Sequence, residues 1–219
     1  MTTFQVHSID SAPEASRPLL EATRKAWGFV PTLHGILAES PVALAAYETL
    51  FGLVGKSTLS PAEQQIVFLA VSVLHGCEYC VAGHTYLARS VSLPDPVLRA
   101  LRHGETIADA PRAQALRRFT EAVVRERGDA GDAAVDAFLA AGFTRRNVLE
   151  VVTIIATKTI SNYTNPLTHT PKESFMSDPA LKWAAPGALV EACLWRPGGR
   201  APAASGIERF WGCWGWPGP

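Results

Sequence analysis

Several features are scarce or missing in this 219-residue sequence. No apolar run approaches the roughly 18 residues that a membrane-crossing helix requires, so no transmembrane segment is expected. The opening stretch MTTFQVHSIDSAPEAS has neither a basic start nor an apolar centre, so it does not read as a secretory leader. Neither sign of charge is in excess, with 20 Lys+Arg against 20 Asp+Glu, which argues against a nucleic-acid footprint or an acidic tail. The densest basic group, Arg117, Arg118, Arg125 and Arg127, is broken by Glu121 and Glu126 and reads as a solvated helix face. Cysteine is rare, four in all, with no second CxxC and no HxxxH. The expected compartment is the cytoplasm, where thiols serve metal or redox chemistry more often than structural disulfides.

Glycine and proline are present in a helical rhythm. Candidate helices span about 15–27, 41–54, 61–75, 78–90, 94–103, 111–127, 131–141 and 144–160. Several end at a glycine (Gly28, Gly55, Gly76, Gly104, Gly128, Gly142), the residue that supplies a left-handed cap at little steric cost. Two begin with Ser-Pro, at Ser40-Pro41 and Ser60-Pro61. Two segments, IVFLAVSVL (66–74) and VVTIIATKTI (151–160), are rich in β-branched residues and also suit buried strands. Their flanks favour helices: Ser60 and Glu63 form a capping-box pattern, and Thr144 is a cap followed by helix formers. The fold class is therefore all-α, a bundle with 66–74 and 151–160 at its centre. A shift of 84 residues lays Ser60 on Thr144, Val67 on Val151 and Tyr79 on Tyr163, which hints at two similar helical hairpins. Residues 1–185 form the expected domain. Residues 186–219 hold 12 Gly or Pro and four of the six tryptophans, and read as a disordered or loosely docked tail in which Cys193 and Cys213 are incidental.

The chemistry concentrates in HGCEYCVAGH (75–84). On a helix starting near Cys77, the side chains of Cys77, Cys80 and His84 fall within an arc of about 60°. The first turn of a helix favours a thiolate, and a CxxC pair there commonly has a depressed thiol pKa. His84 can take or deliver a proton. Such a set suits a thiolate that attacks a peroxide and condenses with its neighbour to a disulfide, or thiol–disulfide exchange. Zinc is a rival, but only three ligands are in place where a structural site takes four. A thioredoxin-like domain also puts CxxC at a helix start after an apolar strand; the capping box before Ile66 and the shortage of other strands stand against it. The remaining histidines (His7, His34, His75, His103, His169) are scattered, with surface or capping roles expected.

LSPAEQQIVFLAVSVLHGCEYCVAGHTYLA (59–88) resembles the core motif of the carboxymuconolactone decarboxylase-like, alkylhydroperoxidase D-like superfamily. FVPTLHGILAESPVALAAYETL (29–50) is similar to the lead-in of its peroxidase-related subgroup, and 138–165 with TPKESF (170–175) to its closing part. The resemblance implies an all-α fold and a homo-oligomer (dimer, trimer or hexamer). It implies a dithiol peroxidase with Cys80 peroxidatic, Cys77 resolving and His84 in the proton relay. No cofactor or metal is implied; the partners are a hydroperoxide and an external dithiol reductant, lipoyl-bearing or thioredoxin-like. Lactone decarboxylation is disfavoured, because the decarboxylase members lack the cysteine pair. Two positions depart from the pattern: Gln65 stands where the relay glutamate often lies, and Pro166 where a histidine often follows NYxN. A thiol-based sensor or exchange protein with little turnover, and a zinc-bound interaction module, are the alternatives.

Overall fold

The computed structural model describes residues 3–185, which contain helices and no strand. The thioredoxin-like alternative therefore falls, and both β-branched segments are helical. The tail 186–219, with Cys193 and Cys213, lies outside the described residues. The helices are α1 (Arg17–Trp27), α2 (Thr32–Leu37), α3 (Pro41–Val54), α4 (Pro61–Leu74), α5 (Glu78–Ser90), α6 (Asp95–His103), α7 (Pro111–Arg125), α8 (Asp132–Ala140) and α9 (Arg145–Thr168).

α4 is the hub. The Ser60 side chain accepts from the Glu63 amide and the Glu63 carboxylate accepts from the Ser60 amide, so the capping box forms as the sequence suggests. Every residue from Gln65 to Leu74 is buried, and α4 packs against α5, α6, α7 and α9. Removing its Val, Leu, Ile and Phe side chains from water contributes roughly 1.5–3 kcal/mol each. That burial outweighs the modest helix propensity of β-branched residues.

α9 starts with a second capping box, Thr144 with Asn147. Its buried residues Asn147, Val151, Ile154, Thr157, Lys158, Ser161, Asn162 and Asn165 recur at three- and four-residue spacing along one face of the helix. It differs from expectation in two ways. It has a solvent face as well, with Leu149 and Leu167 about 70% exposed (69% and 73%). It also runs on to Thr168 without the break that α4 has at Gly76, so the second half of the internal similarity is one long helix and not a hairpin. Pro166 stands in the last turn, where the N–H it lacks would have bonded the Asn162 carbonyl.

The short α2 was not expected from the sequence. Its first amide, Thr32 N–H, donates to the Glu173 carboxylate at 2.6 Å, a cap from 141 residues away. Its Gly35 is tied to the N-terminal segment: the His7 amide donates to the Gly35 carbonyl at 3.1 Å, and a Cβ on Gly35 would lie 2.8 Å from the His7 carbonyl oxygen. Gly55 has a right-handed φ of −61°, unlike the other glycines proposed as left-handed caps. Arg117 is buried and paired with Glu121, not on a solvated face.

A large apolar core around α4, α6, α7 and α8 and a smaller one around α1, α2 and α3 share the half-buried Phe51.

Candidate functional site

The turn before α5 decides where the thiols stand. α4 closes with the Cys77 amide donating to the Ser72 carbonyl (3.0 Å) and the Gly76 amide to the Val73 carbonyl (3.1 Å). This Schellman arrangement requires a left-handed residue, and Gly76 supplies it at φ +65°. Cys77 is thereby delivered directly to the N-cap of α5, and its sulfur accepts from the Cys80 amide at 3.4 Å, the part usually taken by a Ser or Asp oxygen. Both cysteines are free thiols and both are buried.

α9 faces them with polar groups. The Asn165 side-chain amide donates to Cys80 Sγ at 3.2 Å and to Cys77 Sγ at 3.6 Å. Ser161 Oγ lies 3.9 Å from Cys80 Sγ. Lys158, 1% exposed, is among the most buried side chains, and among the described residues no carboxylate forms an ion pair with it. Its Nζ sits 3.0 Å from His84 Nε2, and His84 Nδ1 sits 2.9 Å from Gln65 Oε1. An ammonium can only donate and an amide oxygen can only accept, so the chain of donors runs Lys158 to His84 to Gln65, with the His84 proton on Nδ1. Phe68 stacks on the imidazole at 4.5 Å and holds its plane.

These neighbours split the two thiols. Burial pushes the Cys80 thiol up, but hydrogen bonding from Cys77, the Lys158 ammonium, Ser161 and Asn165 together pull it below the usual thiol range. Cys77 goes the other way: its hydrogen bond to the Cys80 sulfur, then burial, then the Cys80 charge all hold its proton on. Burial, and then the Lys158 charge, hold His84 well below the ordinary histidine range. A lysine stripped of water is costly unless a negative charge lies near it, and a Cys80 thiolate is the group here that can carry one.

A cavity of about 300 Å³ opens onto this set. Cys80, His84 and Lys158 line its floor, while Trp27, Phe29, Phe51, Tyr86 and Phe175 make its walls. Cys77 does not line it.

The sequence-derived set is thus brought together with one adjustment. Cys80 and His84 share the cavity-facing side of α5, whereas Cys77 lies just before the helix and behind Cys80. His84 does not touch either sulfur; both its nitrogens are bonded elsewhere, so the geometry leaves none for a zinc ion held by the thiols. Among the described residues no three His, Cys, Asp or Glu side chains cluster at metal-ligating distance. Glu63 is spent on its capping box and on Arg112, and Glu78 on Lys172 at the surface. Sequence reasoning missed Lys158, Ser161, Asn165 and His34, which lines the cavity. The lone lysine in VVTIIATKTI was the available signal: a charge in an otherwise apolar helix.

Residues 41–122 match the model of the carboxymuconolactone decarboxylase family. No curated protein is significantly similar in sequence. Among solved structures, the alkylhydroperoxidase AhpD core protein of Ralstonia eutropha, a peroxidase-related protein, is 21% identical with a TM-score of 0.71, covering 82% of this chain and 96% of its own. A peroxidase-related protein of Silicibacter is 18% identical with a TM-score of 0.68, covering 82% and 99%. The debrominase Bmp8 is 16% identical with a TM-score of 0.65, covering 88% and 98%. The family match spans the α4–α5 core, and the helical fold is shared with these structures over 82–88% of the chain.

Proposed function

We propose that the protein is a cofactor-free dithiol reductase of organic hydroperoxides. The observation that carries this reading is the asymmetry of the pair: Cys80 meets the cavity and is held as a thiolate, while Cys77 waits behind it as a thiol. The Cys80 thiolate attacks the outer oxygen of ROOH; an S–O bond forms, the O–O bond breaks, and the alkoxide leaves as ROH with a proton from Lys158. His84 and Gln65 serve the relay by fixing the direction of the Lys158 ammonium. Cys77 then attacks the Cys80 sulfenic acid, its proton leaves with the hydroxyl as water, and the disulfide forms. An external dithiol, lipoyl-bearing or thioredoxin-like, returns both thiols and becomes a disulfide itself. The exposed apolar residues Leu149, Val152 and Leu167 of α9 support a homo-oligomer.

A second reading uses the same electrons. The debrominase Bmp8 binds 2,3,4-tribromopyrrole, and the aromatic walls here suit an aryl halide. The Cys80 thiolate would take the halogen as the carbon–halogen bond breaks, Lys158 would protonate the ring carbon, and Cys77 would attack the sulfenyl halide, releasing halide and its own proton, which returns to Lys158, to give the same disulfide.

The test is thiol titration with stoichiometric cumene hydroperoxide under anaerobic conditions. Wild type is expected to lose two thiols and gain one disulfide, Cys77→Ser to accumulate a trappable sulfenic acid, and Cys80→Ser to react no faster than an ordinary thiol. Oxidation of Cys80 at the rate of Cys193 or Cys213 sinks the reading. Oxidation without repeated turnover in the presence of dihydrolipoamide or reduced thioredoxin makes the protein a redox sensor instead.

A further inference from the structure

A second cavity, of about 470 Å³, opens at the end of α5 and the outer side of α6, and the dithiol chemistry does not use it. Arg89 from α5 and Asp95, Arg99, Arg102 and His103 from α6 line it, and a turn at 179–181 closes one side with Ala180. The four α6 residues fall within an arc of about 100°. Val97, Ala100 and Leu101 are buried on the opposite side of the same helix. α6 thus turns one face to the core and the other to this cavity.

A guanidinium keeps its proton at physiological pH, so three positive charges meet here. Asp95 is the one carboxylate in the lining, and it leaves two of those charges unmatched. Among the described residues none of the three arginines forms an ion pair. Asp178, next to the turn, accepts from the Ala180 amide at 2.9 Å. Arg102 is half-buried and held in place: its Nη1 donates to Thr85 Oγ1 and its Nη2 to the Lys182 carbonyl, both at 2.6 Å. Trp183 Nε1 donates to the Arg102 carbonyl, also at 2.6 Å, so backbone and side chain are both anchored. Burial, and then the Arg89 charge, lower the Arg102 pKa. Like charges kept close in a partly dry place are costly until an anion lies among them. The side chains of Arg89 and Arg99 are exposed and make no hydrogen bond or ion pair among the described residues.

We infer that this cavity binds the phosphate groups of a small molecule, either free pyrophosphate or the diphosphate of a nucleotide, with Arg102 as the fixed anchor and Arg89 and Arg99 closing on the ligand. The planar guanidinium fork matches two phosphate oxygens at once. A phosphate monoester carries about two negative charges at neutral pH and so answers the excess, whereas a single carboxylate answers half of it. The volume lies in the range of small-molecule sites. The cations are confined to one cavity on a chain with 20 Lys+Arg and 20 Asp+Glu, which argues against nucleic acid as the ligand. The inference goes beyond the proposed dithiol chemistry and does not depend on it.

The experiment titrates the reduced full-length protein with inorganic pyrophosphate and with ADP, by calorimetry in low-salt buffer at neutral pH. Saturable binding at one site is expected. Arg89→Gln and Arg99→Gln should each weaken it by about 10-fold or more, the usual worth of a hydrogen bond to a charged group. Arg24→Gln removes the same charge from the exposed face of α1 and should leave binding unchanged. The Arg102 Nε–H resonance should move when pyrophosphate is added to wild type, a readout that needs no variant to fold. Tighter binding of ADP than of pyrophosphate assigns the site to a nucleotide, and equal or weaker binding of ADP assigns it to the free ion; both support the inference. No saturable binding of either probe, an unmoved Arg102 resonance, or an equal loss in Arg24→Gln and Arg99→Gln overturns it. Failure of Cys80 to react with hydroperoxide overturns the proposed function and leaves these outcomes unaffected.

Discussion

α4 and α9 begin alike and end differently, and the difference builds the site. Both start at a hydroxyl cap whose box closes three residues later, and both bury a valine completely at the matching position, Val67 and Val151. α4 then breaks at Gly76, and the break turns Cys77 and Cys80 into the first turn of a new helix. α9 does not break, and its uninterrupted face carries Lys158, Ser161 and Asn165 past the sulfurs. One segment supplies the thiols; its counterpart supplies the charge and donors that decide which thiol ionises. A helix start by itself does not make that decision, since Cys77 is nearer the N-terminus of α5 and holds its proton more firmly than Cys80.

The strongest way to break this division of labour is Lys158→Met, which keeps the length and apolar stem of the side chain and removes the ammonium. Wild-type Cys80 is expected to stay reactive below the usual thiol range, with reactivity falling only as pH drops through its lowered pKa. In the variant that fall should move upward toward ordinary thiol pH. Its oxidation by cumene hydroperoxide should also slow by about 100-fold or more, the usual worth of a positioned proton donor. Iodoacetamide alkylation of Cys80 followed across pH by mass spectrometry reads the first change. An unmoved profile means that Asn165 and Ser161 hold the thiolate without the lysine.

Much of the site's thiol half could be read from the sequence. Gly76, Cys77, Cys80 and His84 lie within ten residues, so local rules of capping and periodicity reach them. The capping residues Ser60 and Thr144 were legible for the same reason. The other half was not, because it depends on which helices meet. Lys158 is 74 residues from His84, Asn165 is 85 from Cys80, and the cap of α2 comes from Glu173. The departure at Gln65 was visible as a missing carboxylate. Its consequence was not, since a neutral amide suits a relay whose charge comes from a lysine on the opposite side of the imidazole. The surface role expected for His34 failed similarly: its burial is set by α1, α3 and the cavity, not by its neighbours in the chain.

The break itself is tested by Gly76→Ala. A Cβ there would make only an ordinary contact, 3.8 Å from Ala185 Cβ, so the cost is conformational. Holding an alanine in the left-handed region costs about 1–2 kcal/mol. The matched control is Gly52→Ala in the exposed last turn of α3, where nothing lies within 4 Å; it should gain up to about 1 kcal/mol from helix propensity. Urea unfolding of both variants gives opposite signs if the turn at Gly76 is what the geometry indicates, and equal signs if it is not.

The likeness of the two helix starts is sharpened by the smallest change, Ser60→Ala against Thr144→Ala. Each removes one cap and should cost about 1 kcal/mol, a shift of roughly 2–4 °C in Tm for a chain of this size. Larger losses are not expected, because each partner in the box keeps a second anchor: Glu63 holds Arg112 at 2.8 Å, and the Asn147 amide holds Thr58 and Glu150, each at 2.9 Å. The two starts are equivalent if the losses agree within a few tenths of a kcal/mol. Neither variant should alter Cys80 alkylation, since both caps act at the far ends of their helices from the thiols. A cap variant that slows Cys80 would show that helix position, and not only helix presence, is being transmitted along α4 or α9 to the dithiol.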